Sequence, residues 1–517
     1  MLIHDYVNYY SRNNPDMDCV RQGSDLRSYA QISKQSNQVA NGLILLGVKH
    51  SQRVAILGEN SPDHFSLFLA AGKIGVVSVP LNYRLAPAEL AFVIGDAKVK
   101  VLLVLAGMES TLEALRDFLP DGITVISHGM SDSLDWHSWV ESQSSNEPSI
   151  SVDSNDPFIQ LYTSGTTGNP KGVVISHHNL LSLVTMNNAA APARPNAGES
   201  AIICAPLFHI GGTGSLIMAI FSGQTALLHK VFDPMQVLDD MEQHPVTAVF
   251  LVPAMIGAML QTPNVEQRDF SKLRQIFYGA SPISETLLRQ AMGVLKCDFI
   301  QMYGMTETTG TVINLSADDH RLALTDRPEL LRAAGRPSVG VKAKIVDDDG
   351  IELVSGEIGE LWIKSDTNML AYDHLPEATA ETLTDGWVHT GDAGYIDQQG
   401  YIFLKDRIKD MVVSGAENIY PVEVENAIAK HPAVLEVAVI GVPDEKFGEA
   451  LLAFIVLKPK ISLTCEELVD FCRDKIAGFK IPRQLEVINE LPRNATGKIL
   501  KKTLREPYWK ALGRDIA

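Results

Sequence analysis

Cysteine pairs, basic charge and uninterrupted apolar runs are all scarce in this sequence, and each scarcity argues against a class of function. Five cysteines (Cys19, Cys204, Cys297, Cys465 and Cys472) are scattered through 517 residues, with no CxxC pair and no histidine at metal-ligand spacing. That argues against a disulfide framework or zinc module and fits reduced thiols in a cytoplasmic protein. Lys and Arg number 44 against 62 Asp and Glu, a formal net charge of -18. No basic surplus exists to neutralise a nucleic acid, although a local patch could still serve one nucleotide. The opening MLIHDYVNYYSRNNPD has neither a basic n-region nor a long apolar core, so a signal peptide is not expected. The stretch Ala201 to Leu228 contains no Lys, Arg, Asp or Glu. Pro206, His209, Gly211, Gly212, Gly214 and Gly223 interrupt it, so it reads as buried strand, loop and helix and not as a membrane span. Peripheral contact with a membrane surface stays open, because a lipid-like substrate would favour it.

What is present is ordinary for a globular enzyme: 45% hydrophobic and 21% charged residues. The length implies two or more domains. Ile32, Val39, Leu43 and Leu46 share a helical face, and Arg53 to Leu57 follows as a short buried strand. A helix over Asp63 to Ile74, an apolar run Val76 to Leu81, a helix from about Pro87 and a strand Val99 to Val104 continue the alternation. This pattern implies βαβ units with parallel sheets and covering helices. Gly356 to Ile363 and Gly400 to Leu404 read as Gly-punctuated strands. A boundary is expected near Asp406, dividing residues 1–406 from 407–517. Beyond it a helix (Val422 to Lys430), two strands (Leu435 to Val442, Leu451 to Leu457), a helix from Cys465 and a strand Gln484 to Ile488 form a small α+β unit.

The strongest local signal is Tyr162-Thr163-Ser164-Gly165-Thr166-Thr167-Gly168-Asn169-Pro170-Lys171-Gly172. Glycines let the backbone turn its N–H groups toward a phosphate, and the hydroxyls add donors. The spacing does not satisfy GxxxxGK[ST], so this is a phosphate loop of another kind. Further along stand Tyr278-Gly279-Ala280-Ser281-Pro282, Gln301-Met302-Tyr303-Gly304-Met305-Thr306-Glu307, Thr390-Gly391-Asp392, Asp406-Arg407 and Thr496-Gly497-Lys498. Taken singly, each would pass as a turn, a salt-bridge member or a solvated lysine.

Together and in this order, from about Leu26 to Lys502, they resemble the adenylate-forming superfamily of acyl-CoA synthetases, firefly-type luciferases and nonribosomal-peptide adenylation domains. Bacterial fatty-acid–CoA ligases are the nearest branch, with hydroxycinnamate-type ligases beside them. The resemblance implies a large α/β N-terminal domain of βαβ-type subdomains and a small, mobile α+β C-terminal domain. It also implies an ATP-dependent reaction through an acyl-adenylate to acyl-CoA, with Mg²⁺ and coenzyme A. Thr163 to Gly168 and Lys171 would cradle phosphate, Gly279, Ala280 and Ser281 would wall the adenine, and Tyr303, followed by Gly304 in the same nucleotide site, would stack on it. Thr306 would meet the phosphate and Glu307 would hold Mg²⁺, which wants hard oxygen ligands supplied sparingly by protein. Asp392 would accept the ribose hydroxyls, and Arg407 would present its fork of donors to ribose or phosphate. Lys498 would stabilise charge on the reacting carboxylate and α-phosphate. Lys409 would be the hinge, and Ser414, Gly415 and Ala416 would line the coenzyme A path. Relatives commonly carry a second glycine where Ala416 stands.

His209, in Pro206-Leu207-Phe208-His209-Ile210-Gly211-Gly212, falls at the family's acyl-pocket motif and would face the carboxylate. Amino-acid-activating relatives place an aspartate hereabouts, and none is present. No carrier module follows Lys498 either, so peptide synthesis is not expected. The lining candidates Val252, Met255, Gly279, Met302, Met305 and Gly310 suit a medium- or long-chain fatty acid, with an aryl or hydroxycinnamate-type acid as the alternative. A luciferase-like oxygenase would share the adenylation motifs, and light output without CoA would separate it. A catalytically dead nucleotide-binding relative is the non-enzyme alternative, against which the intact Glu307, Asp392, Arg407 and Lys498 speak.

Overall fold

The computed structural model describes residues 1–130, 133–163, 170–190, 195–281, 283–407, 410–414, 417–444, 447–459, 461–473, 475–493 and 499–510. The phosphate-loop residues Ser164 to Gly168, the hinge Lys409, the pair Gly415 and Ala416, and Lys498 lie outside the described residues.

The alternation read from sequence produces the expected α/β layering. Tyr29–Leu45 is a helix capped by Ser28, whose hydroxyl accepts from the Gln31 amide, and it buries Ile32, Val39 and Leu43 completely. Arg53–Leu57 lies between two parallel neighbours, Val77–Leu81 and Val99–Val104. Because these strands are covered on both faces, they show continuous apolar runs and not alternation. They belong to an eight-stranded sheet that also holds the hairpin Pro157–Thr163 and Lys171–Ser176. A nine-stranded sheet carries, side by side and parallel, Ser200–Ile203, Val246–Leu251, Gln275–Gly279 and Asp298–Met305. The charge-free stretch resolves into Ser200–Ile203, a helix Ile210–Phe221 of 12 residues and Thr225–Leu228. No helix among the described residues is long and apolar enough to cross a membrane. A third sheet of five strands ends on Ile402–Arg407, antiparallel to Trp387–Ile396.

Residues beyond Asp410 build a separate five-stranded sheet around the long hairpin Val434–Asp444 and Gly448–Leu457, with helices Pro421–Ile428, Cys465–Cys472 and Lys501–Lys510. A buried charge cluster ties this part to the end of the third sheet. Asp406 accepts from the amides of Arg407 at 2.8 Å and Val422 at 3.1 Å. Lys501 Nζ reaches Glu425 at 2.9 Å and Asp406 at 3.6 Å. Burial raises the pKa of both carboxyls, while Glu425 and Asp406 outweigh burial at Lys501 and raise it. Breaking one partner would strand a buried charge, so the cluster acts as a unit.

Candidate active site

The described motif residues converge on one cleft of about 2530 Å³ between the large sheets and the C-terminal part. Thr163, Lys171, His209, Gly279, Ala280, Ser281, Tyr303, Gly304, Thr306, Glu307, Asp392 and Arg407 all line it. Ser414 does not; it is buried at the end of Val412–Ser414, opposite Gly448.

Thr163 and Lys171 pair across the hairpin, which holds the two ends of the Ser/Thr/Gly loop together. Lys171 Nζ stands 4.9 Å from the centroid of the Tyr372 ring, a cation–π distance. The walls need glycine for steric reasons. A Cβ on Gly279 would collide with the Met302 carbonyl oxygen, and one on Gly304 with that of Gly310. Ala280 sits at φ 66°, a region L-residues rarely adopt, so the turn behind Gly279 carries backbone strain.

On one side of the cleft Tyr303 donates to Asp392 Oδ2 at 2.6 Å, and Arg407 Nε meets Asp392 Oδ1 at 2.7 Å. Arg407 Nη1 also donates to the Thr390 carbonyl at 2.8 Å. Burial, then the Asp392 charge, raises the Tyr303 pKa, so this phenol stays protonated and donating. A carboxylate has about four lone-pair sites, so Asp392 retains acceptor capacity for a diol.

Glu307 is buried at 6% exposure, in the short turn Thr306–Thr308. Its Oε1 accepts from the Tyr372 hydroxyl at 2.7 Å, while Thr308 Oγ1 braces the turn against Gly310 O at 2.7 Å. No group of three or more His, Cys, Asp or Glu able to hold a metal occurs among the described residues. A single anchored carboxylate is the donor set expected for Mg²⁺, which takes most of its ligands from phosphates and water. The buried carboxylate of Glu307 therefore fits that ion and would be its protein ligand.

His209 caps the N-terminus of the helix Ile210–Phe221, and its Nε2 is buried with no hydrogen-bond partner. Burial, and secondarily the Arg84 charge, lowers its pKa to about 4. At neutral pH it is a neutral imidazole in the lining of the cleft. Sequence reading missed Tyr372 and Thr308, which orient the motif residues. Their positions in the chain are remote from their partners or unremarkable, so only the fold exposes them.

A family profile described as AMP-binding enzyme matches residues 8–373, and its C-terminal domain profile matches residues 423–498. The chain belongs to the AMP-binding enzyme family. Within it, the protein is an ATP-dependent, AMP-forming acyl-CoA synthetase that uses ATP, Mg²⁺ and coenzyme A. It is 36% identical to a fatty acid–[acyl-carrier-protein] ligase of Streptomyces coeruleorubidus, over 99% of this chain and 97% of that one. It is also 36% identical to a feruloyl-CoA synthase of an Amycolatopsis species, over 96% and 97%. Among solved structures, the anthranilate CoA ligase AuaEII in complex with anthranoyl-AMP superposes with a TM-score of 0.90 at 28% identity, covering 99% of this chain and 98% of that one. These AMP-binding enzymes differ in the acid named, so the likeness reaches the reaction and stops short of the substrate.

Proposed function

We propose that this acyl-CoA synthetase activates a medium- or long-chain straight acid. The observation that carries the reading is the continuation of the cleft past His209, along small and apolar residues. Ala201, Ala248 and Gly211 leave a slot between the nine-stranded sheet and the helix Ile210–Phe221. A ring-bearing acid is the second reading, favoured by the aromatic faces of Phe250 and Phe277 in the same lining and by the feruloyl relative.

In this reading the carboxylate sits beside His209, whose neutral ring imposes no charge on it. Attack on the α-phosphorus places growing negative charge where Thr306 and Lys498 supply stabilisation; Glu307 would hold Mg²⁺, which would supply further positive charge there. Thr163 to Gly168 and Lys171 hold the leaving phosphates, Gly279, Ala280, Ser281, Tyr303 and Gly304 form the adenine site, and Asp392 with Arg407 fixes the ribose. A small domain beginning at Arg407 turns about Lys409, withdraws Lys498 and presents Ser414, Gly415 and Ala416 to the thiol.

The test is ATP- and CoA-dependent AMP release with acetate, octanoate, palmitate, benzoate and ferulate. Preference among the straight chains supports the reading, and turnover confined to benzoate or ferulate overturns it. The Streptomyces relative names a carrier protein as its acceptor, so a holo carrier protein belongs beside CoA in that assay.

A further inference from the structure

Lys501 stands between two carboxylates that belong to opposite sides of the proposed hinge. Its Nζ lies 2.9 Å from Glu425 Oε1 and 3.6 Å from Asp406 Oδ2, and the three side chains are 13%, 17% and 7% exposed. Glu425 is fixed within the C-terminal part, because its Oε1 accepts from the Val439 amide at 2.8 Å. Asp406 lies in Ile402–Arg407, and its Oδ2 also accepts from the Val422 amide at 3.1 Å. That amide opens the helix Pro421–Ile428, so the Asp406 carboxylate meets the positive end of a helix as well as an ammonium. Both attractions cross from a residue before Lys409 to residues after it.

Each end of this bridge leads to a group assigned to the reaction. On one side Arg407, next in the chain to Asp406, meets Asp392 at 2.7 Å where the ribose is expected. On the other side Lys501 opens the helix Lys501–Lys510, three residues after Lys498. The stem of that tip is tied together: the Leu500 amide donates to the Pro492 carbonyl at 2.8 Å, and Arg493 pairs with Ile499 in an antiparallel bridge. Ile499, Leu500 and Lys501 line the cleft, whereas Ser414 does not. The bridge is thus closed in an arrangement that turns the stem of the Lys498 tip, and not Ser414, toward the cleft.

We propose that Lys501 is a positioning residue for adenylation: it bridges Glu425 to Asp406 and so keeps the tip carrying Lys498 at the cleft. The inference rests on the reading that Lys498 serves the first half-reaction and that the C-terminal part turns about Lys409. Turning about that point carries Lys501, Glu425 and Val422 together and leaves Asp406 behind, so the bridge opens for the thiol step. Without the ammonium, Asp406 and Glu425 would face each other as two buried carboxylates, which favours separation of the two parts.

The experiment compares the unaltered chain with Lys501→Met, Asp406→Asn, Lys498→Ala and the double variant Lys498→Ala/Lys501→Met. Two rates are read: pyrophosphate release with ATP, Mg²⁺ and decanoate (ferulate if the acid panel selects it), and transfer from the supplied acyl-AMP to CoA. Lys501→Met should slow pyrophosphate release at least about tenfold, because the rate scales with the fraction of molecules in the adenylating arrangement. Transfer should stay within about threefold of the unaltered rate, since that step does not need the bridge, and this also shows that the variant is folded. Asp406→Asn, which removes the far anchor, should show the same split. On the Lys498→Ala background, Lys501→Met should cost no more than about twofold further, because residues that act as a unit are not additive. Unchanged pyrophosphate release in Lys501→Met overturns the inference, as does a further loss of about tenfold on the Lys498→Ala background, the additive result of independent sites. Equal loss of both half-reactions in Lys501→Met marks a general structural role and also overturns it. A loss that Asp406→Asn does not share overturns the bridge. Full adenylation by Lys498→Ala instead overturns the reading of Lys498 on which the inference rests.

Discussion

Tyr372 donates its hydroxyl hydrogen to Glu307 Oε1 at 2.7 Å, joining residues 65 positions apart in the chain. Burial, then the Glu307 charge, raises the Tyr372 pKa, so the phenol stays a donor throughout the working range. Groups that orient a metal ligand typically contribute ten- to a hundredfold in metal affinity or activity. Tyr372→Phe should therefore raise the Mg²⁺ concentration for half-maximal adenylation about tenfold, with the KM for the acid little changed. A Mg²⁺ titration of pyrophosphate release checks this; equal half-saturation in both proteins would remove Tyr372 from the site.

Asp392 engages Tyr303 and Arg407 at once. Asp392→Asn keeps the shape but gives up charge-assisted bonds, each worth about 1.5–3 kcal/mol. AMP binding measured by calorimetry should weaken by about tenfold or more. Unaltered AMP affinity would mean that the ribose lies elsewhere.

The contrast between these pairs and the strands shows what was legible in the sequence. Arg53–Leu57 and Val99–Val104 were readable because both faces are buried and the apolar run is continuous. The α+β C-terminal part was readable from its strand and helix patterns, although Val434–Asp444 extends beyond the apolar stretch because its partner Gly448–Leu457 continues the ladder. Gly279 and Gly304 stood out as motif glycines, and the structure supplies the reason: each touches a facing carbonyl where no Cβ fits. Tyr372 and Thr308 were not readable, because a hydroxyl's partner is decided by packing between distant segments.

Acid should destabilise the protein through two histidines far from the motifs. Burial lowers His64 to about 4, and burial together with the neighbouring His4 lowers His177 to about 3. The His177 Nδ1 accepts from the Ile3 amide at 3.2 Å, so protonation also releases the first helix, Ile3–Asn13. An unfolded histidine titrates near 6.5. Below that value the unfolded chain binds more protons, so stability is complete above about pH 6.5 and falls as the pH drops toward 4. The loss should reach about 2 kcal/mol per ring by pH 5. Denaturant unfolding at pH 7 and pH 5 measures it, and His64→Gln should lessen the difference. The same pH dependence in the variant would exclude His64 as a contributor.

Gly279→Ala should disable the site by displacement. The added methyl must push away the Met302 carbonyl, part of the adjoining parallel strand. Overpacking of this kind costs about 1–3 kcal/mol. A lowered melting temperature with adenylation reduced at least about tenfold is expected. A variant with full activity and full stability would show that the strands separate freely there.

The most direct test of the account takes its two half-reactions apart with Lys498→Ala. The unaltered enzyme, mixed with ATP, Mg²⁺ and decanoate, should form acyl-AMP and pyrophosphate, and CoA added afterwards should convert the adenylate to acyl-CoA and AMP. Lys498→Ala should slow the first step by roughly two to three orders of magnitude, in line with losing one preorganised electrostatic donor, yet still transfer acyl from supplied acyl-AMP to CoA. Adenylate formation at the unaltered rate in Lys498→Ala, or loss of the thiol step alone, would contradict the account.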